Sequence, residues 1–227
     1  MIEDLAKRIQ VKFKNIELLR QAVTHRSYLN ENRGYKLDHN ERLEFLGDAV
    51  LELIITEHIY NNFPNPEGEL TAWRSALVNG DNLALVAKNL GVEEFLLMSK
   101  GEAKDMGRAR QYLMANAIEA IIGAIYIDLG YDQAKEFVMK NIAAKLDEVL
   151  EGKTYLDPKS LFQEKSQEIE KVTPSYRVVK EWGPDHDKHF VVGIYLGDEL
   201  VAEGEGNSKQ EAQREAAKNG LEVRGWT

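Results

Sequence analysis

The sequence predicts a multidomain chain: an all-α domain over residues 1–150, a short linker at 151–156, and an α+β domain over 157–226 with the order α-β-β-β-α. Three observations carry this. Apolar residues recur at three- and four-residue spacings from Ile2 to about Leu150, with almost no period-two alternation. Near Asp157-Pro158 the texture changes, and one helical run is followed by three strand-like runs and a closing helix. The 227 residues also suit two modest domains better than one large one, since a domain usually takes about 100–200.

The elements follow in order. KNIELLRQAVTH, ERLEFLGDAVLELIITEHIY, DNLALVAKNL and AIEAIIGAIYID each read as a helix with an apolar face. Turn signals separate them: Pro64, Pro66 and Gly68, then Gly91, Gly101, Gly107 and Gly130. Gly152 follows the last helical run and opens the linker. SLFQEKSQEI then reads as a helix, SYRVVKEW, KHFVVGIYL and ELVAEGEG as strands, and NSKQEAQREAAKNGLEV as a closing helix capped by Asn207 or Ser208.

Composition narrows the function classes. At 43% hydrophobic and 30% charged, the chain has enough apolar material for a packed core. It has no cysteine, which removes disulfides, thiolate nucleophiles and cysteine zinc sites and fits a reducing compartment. The expected location is cytoplasmic, with no membrane partner. A net charge of −9, from 29 basic and 38 acidic residues, argues against polyanion binding by overall charge, so any nucleic-acid surface is local.

The chemistry-bearing residues lie in two helical segments. In NERLEFLGDAVLELI, Glu41, Glu44 and Asp48 stand at i, i+3 and i+7, within about 60° of one another on a helix. Carboxylates so grouped repel and raise each other's pKa unless cations neutralise them. In LMANAIEAIIGAIYI, Asn116 and Glu119 interrupt an apolar run one turn apart, where an unpaired polar group costs several kcal/mol. Oxygen donors from two helices suit Mg²⁺, with Mn²⁺ able to substitute, and such a site can serve phosphodiester hydrolysis. The same spacing also describes a solvated helix face. Leu43, Phe45, Leu46, Ala49, Val50 and Leu51 leave little room for one, and spacing alone leaves the two readings level.

NERLEFLGDAVL at 40–51 resembles the signature of the bacterial ribonuclease III family. THRSY at 24–28, GELTAWRSALVN at 68–79, ANAIEAIIGAIYID at 115–128 and the region from Asp157 onward are similar to it as well. The resemblance implies a metal-dependent endonuclease of double-stranded RNA that works as a homodimer and takes no small-molecule substrate. Its products would carry 5′-phosphate and 3′-hydroxyl ends with short 3′ overhangs, and ribosomal RNA precursors are the family's usual substrate.

By motif position the implied metal ligands are Glu44, Asp48, Asn116 and Glu119, with Asp48 and Glu119 most closely tied to catalysis. Glu41 is implied as a supporting acid, and so is Glu67, which falls in a Pro/Gly-rich turn. His25 and His39 are expected to be structural rather than catalytic. Asn116 stands where the family usually has aspartate, which leaves open a double-stranded RNA-binding protein with weakened or lost cleavage.

The C-terminal region is similar to a double-stranded RNA-binding domain, which implies RNA contacts from Gln163 and Glu164, from His186, and from Lys209, Gln210 and Gln213. Gln210 and Gln213 occupy positions where lysine is common. Residues 155–227 hold 10 Lys and Arg against 14 Asp and Glu, so affinity is expected to be modest and its salt dependence shallow.

Overall fold

The computed structural model describes residues 1–104, 107–146, 157–184 and 188–226, and the chain divides into two compact units, Met1–Tyr155 and Leu156–Thr227. The linker expected at 151–156, and the end of the helical run beyond Leu146, lie outside the described residues.

The first unit is built from helices, with one isolated β-bridge between Thr24 and Leu97 among its described residues. Its α-helices are α1 (Ile2–Arg8), α2 (Ile16–Ala22), α3 (Arg26–Glu31), α4 (Glu41–Asn62), α5 (Glu67–Val78), α6 (Gly80–Asn89), α7 (Arg108–Leu129) and α8 (Tyr131–Asn141). Short 3₁₀ turns lie at Val92–Phe95, Glu102–Lys104 and Ala143–Lys145. Gly68 was read as part of a turn but stands inside the first turn of α5; Pro66 sets the N-cap and Glu67 already has helical geometry.

Helices α4 and α7 form the centre of this unit, and α7 also packs against α2, α6 and α8. Ala117, Ile118, Ala120, Ile121, Ile122, Ala124 and Ile125 of α7 are fully enclosed. Among the described residues α7 is the one helix long and apolar enough to cross a membrane, and its place in this core accounts for that composition.

Two glycines let α4 and α7 touch. A Cβ on Gly47 would collide with the Glu119 carbonyl, and one on Gly123 with the Leu43 carbonyl. Glycine inside a helix costs up to about 1 kcal/mol relative to alanine, a cost accepted here because only a missing side chain permits the backbone approach.

The start of α4 is tied down separately. Asn40 is buried; its backbone N–H donates to the Thr24 carbonyl at 2.9 Å and its side-chain amide to the Ala22 carbonyl at 3.2 Å. Gln21 adds a bond to the His39 carbonyl at 3.1 Å. The THRSY segment thus orients the helix that carries the acids.

The second unit contains α9 (Pro158–Ile169), β1 (Pro174–Trp182), β2 (His189–Leu196), β3 (Glu199–Gly206) and α10 (Lys209–Arg224). The strands form one antiparallel sheet in the order β1-β2-β3. Asp157 caps α9 through the Ser160 N–H, and Ser208, not Asn207, caps α10 through the Glu211 N–H. Phe162, Ile194, Leu196, Ala216 and Leu221 form the core between helices and sheet. Gly204 of β3 lies directly against the α10 backbone at Ala216, where a Cβ could not fit.

Candidate active site

Crossing α4 and α7 at Gly47 places Glu44 and Asp48, one residue or one turn from the contact, opposite Asn116 and Glu119. Glu44, Asn116 and Glu119 are partly buried and Asp48 is exposed. The three acids interact. Burial, then Asp48, then Glu44 push the Glu119 carboxyl up to about 7 from 4.5. Burial, Glu41 and Asp48 raise Glu44, while the Asn116 amide beside it acts in the opposite direction. Among the described residues, no basic side chain contributes to either shift.

A small cavity of about 170 Å³ adjoins this cluster, bounded by Glu44 and Asn116 with His25, Asn40, Glu41 and Met98 among its walls. Among the described residues, no three His, Asp or Glu side chains already converge on one point as a closed ligand cage. The site is therefore an open, acid-rich cleft wall. Three carboxylates and one amide, all hard oxygen donors and with no basic side chain among the described residues contributing to their shifts, fit a divalent cation that completes its coordination with water and phosphate.

Of the other expected residues, Glu41 and His25 border the same cavity, whereas Glu67 lies elsewhere. Glu41 is exposed and turned toward Arg26, at 3.5 Å, and His39, at 3.8 Å. Glu67 does not lie in a loop: it is the first residue of α5, exposed, and lines a groove with Thr56, Tyr60 and Arg74 toward the far end of α4. It stands apart from the acid cluster within one chain. His25 is the N-cap of α3: its Nδ1 meets the Ser27 N–H and pairs with the Ser27 hydroxyl at 2.8 Å, and burial lowers its pKa.

The expectation that apolar flanks enclose the acids was too strong. Leu43, Val50 and Leu51 are buried, but Phe45 is 83% exposed and Ala49 is also on the surface. Leu53 and Tyr60 continue outward along the same side of α4.

In the second unit Gln163, Glu164, Lys209 and Gln210 are exposed, and Gln213 is partly buried where it accepts a bond from Lys159. His186 lies outside the described residues. Sequence reasoning missed Gly47 and Gly123, although a glycine in the middle of each acid-bearing helix was a visible anomaly. It also missed Lys159, for which no sequence signal existed.

An all-helical unit with an acid cleft, followed by an α-β-β-β-α unit, defines a helical nuclease joined to a double-stranded RNA-binding module. A family model described as Ribonuclease-III-like matches residues 15–146, and one described as a double-stranded RNA binding motif matches 158–224. The chain is 41% identical over 223 residues to Ribonuclease 3 of Borreliella afzelii, covering 98% of this chain and 91% of that one. It is 42% identical over 219 residues to Ribonuclease 3 of Enterococcus faecalis, covering 96% and 95%. The solved nuclease domain of ribonuclease III from Campylobacter jejuni is 38% identical with a TM-score of 0.56, covering 63% of this chain and 94% of that one. The chain belongs to the ribonuclease III family, whose members depend on divalent metal, and is a double-stranded-RNA-specific endoribonuclease.

Proposed function

We propose that cleavage occurs at the α4–α7 crossing, with Glu44, Asp48, Asn116 and Glu119 holding Mg²⁺, or Mn²⁺ in its place. The observation that supports this most is the uncompensated acid cluster, with Glu119 pushed to about 7 and no basic neighbour contributing. When bound, the metal would supply activation of water and stabilisation of the leaving 3′ oxygen. Asp48, the exposed acid, faces solvent where substrate arrives, while the partly buried Glu44 and Glu119 form the inner wall. Products would carry 5′-phosphates and 3′-hydroxyls with short 3′ overhangs, and ribosomal RNA precursors are the substrate class we assign. Residues 1–150 would carry catalysis and dimerisation and 157–226 the duplex-binding surface, Gln163, Glu164, His186, Lys209, Gln210 and Gln213 included.

The active form we propose is a homodimer assembled through α4. Phe45, Ala49, Leu53 and Tyr60 fall within about 80° of one another on that helix, an apolar stripe bordered by Asp48. A recess beside Phe45, lined by Leu18, Leu43, Leu46 and Ile127, offers a second copy's aromatic ring a place to enter. The solved Campylobacter jejuni nuclease domain is described as having a region involved in dimer formation. In such a dimer Glu67, remote from its own cluster, would be free to serve the partner's cleft, and Glu41 would sit near the seam.

Asn116 motivates the second reading, duplex binding with weakened cleavage, because an amide ligates through its carbonyl oxygen without adding charge. Long duplex RNA incubated across a Mg²⁺ titration separates the two readings. Cleavage by the wild type, and its loss in Glu119→Gln, supports the enzyme and its site. Cleavage restored only by Asn116→Asp supports the second reading, and undiminished cleavage by Glu119→Gln removes the site assignment.

A further inference from the structure

In the second unit Lys159, in the first turn of α9, donates from Nζ to the Gln213 Oε1 on α10 at 2.8 Å. The same ammonium stands over the Tyr176 ring, 5.1 Å from its centroid. Lys209 of α10 stands over the Phe190 ring at 5.6 Å, and Phe190, Tyr176 and Ala212 pack together in one apolar cluster. Two ammonium groups from different helices therefore rest on neighbouring aromatic rings. Lys159 also lies one turn before Gln163, on the same side of α9.

We propose that Lys159 is a phosphate-contacting residue for duplex RNA, held in place by Gln213. The inference rests on assigning the RNA surface to α9 and the start of α10, and it adds a cation that assignment lacked.

The argument is one of charge. A partly buried lysine held by an acid loses most of its field to its partner. An amide carbonyl holds the ammonium less strongly than a carboxylate would, but it fixes its position without adding a negative charge. Nζ has three donors; the amide takes one and the ring face another, so one remains for a phosphate oxygen. The nearby Asp157 carboxylate keeps its charge but directs its oxygens at the helix start, accepting from the Ser160 N–H at 3.2 Å and hydroxyl at 3.0 Å. Gln213 thus has a use that its own side chain does not reveal. It forgoes a lysine on α10 and presents one from α9.

The test uses the full chain in EDTA, to prevent cleavage, and a roughly 25-base-pair RNA duplex, longer than the ~16 base pairs such a domain spans. Affinity is read by fluorescence anisotropy across a salt series for Lys159→Gln, Gln213→Glu and Lys209→Gln, with a melting curve for each. Lys159→Gln and Gln213→Glu should each weaken binding about fivefold and flatten the dependence of log Kd on log salt by about one. Gln213→Glu adds an ion pair within the fold, so weaker binding by a variant that melts no earlier cannot come from unfolding. Wild-type affinity and slope in both of these variants, with Lys209→Gln impaired, overturns the proposal alone. Wild-type behaviour in all three overturns the assignment of the RNA surface with it.

Discussion

Gly47 of α4 and Glu119 of α7 meet backbone to backbone, the Glu119 carbonyl filling the space where any other residue at 47 would carry a Cβ. The closest approach of the two helices and the acid that faces Asp48 and Glu44 therefore share one point.

Gly47→Ala is expected to force the helices apart. Overpacking a core typically costs about 1–3 kcal/mol, and here the obstruction is backbone, which cannot rotate away. A melting temperature lowered by several degrees and cleavage reduced more than tenfold are the expected results. Gly68→Ala is the control: nothing lies within 4 Å of a Cβ there, and helical alanine should stabilise by about 0.5–1 kcal/mol.

The metal-free protein should carry a pH-dependent penalty from Glu119. Its folded pKa, about 7, lies above the ordinary 4.5, so its contribution is fully present below about 4.5 and is lost as pH rises through about 7. Glu119→Gln removes that loss. In EDTA the variant should match the wild type below about pH 4.5 and exceed it by about 1–2 kcal/mol at pH 8, by denaturant unfolding, since solvent screens part of the effect at a partly exposed carboxyl. Identical pH profiles for the two proteins would refute the strained acid.

Asn116→Asp adds a fourth acid beside Glu44 and removes the amide that holds the Glu44 pKa down. Without metal the variant should melt earlier than the wild type; with saturating Mg²⁺ the order should reverse. Half-maximal stabilisation should need roughly tenfold less Mg²⁺, because each added carboxylate strengthens a hard-cation site.

Phe45 is 83% exposed, which an isolated helix face does not explain. Phe45→Asp should convert a dimer into a monomer in sedimentation velocity at micromolar concentration while leaving the helical circular-dichroism signal intact. An unchanged sedimentation coefficient would exclude α4 as the seam.

Periodicity made most of the helical unit legible, and in the second unit the runs of β-branched and aromatic residues marked the strands even though β2 is buried almost continuously. DNLALVAKNL and KHFVVGIYL became α6 and β2 nearly residue for residue. It failed where a residue's purpose lay outside its own segment. Phe45 and Ala49 match a helical core pattern yet point outward, because the sign of an apolar face depends on what it meets. Gly68 looked like a turn because glycine is permissive, but Pro66 had already started the helix. The acids could be placed on two helices by spacing, whereas their meeting depended on Gly47 and Gly123, whose partners Glu119 and Leu43 lie far off in the sequence. Lys159 is the extreme case, since its significance comes wholly from an amide on another helix.

The ties at Asn40 reach further than the start of α4. Asp128, at the end of α7, accepts the Lys14 N–H at 2.6 Å and the Asn15 N–H at 3.1 Å where α2 begins. The other end of α2 leads into Ala22 and Thr24, which hold Asn40. With the glycine crossing, these bonds close a mechanical loop through α7, α2 and α4. Each wall of the cleft is thus braced against the other both directly, at the glycines, and through α2. With the helices so braced, the reach of each acid, one methylene longer in Glu44 than in Asp48, becomes the length that fits the cleft to an arriving ion.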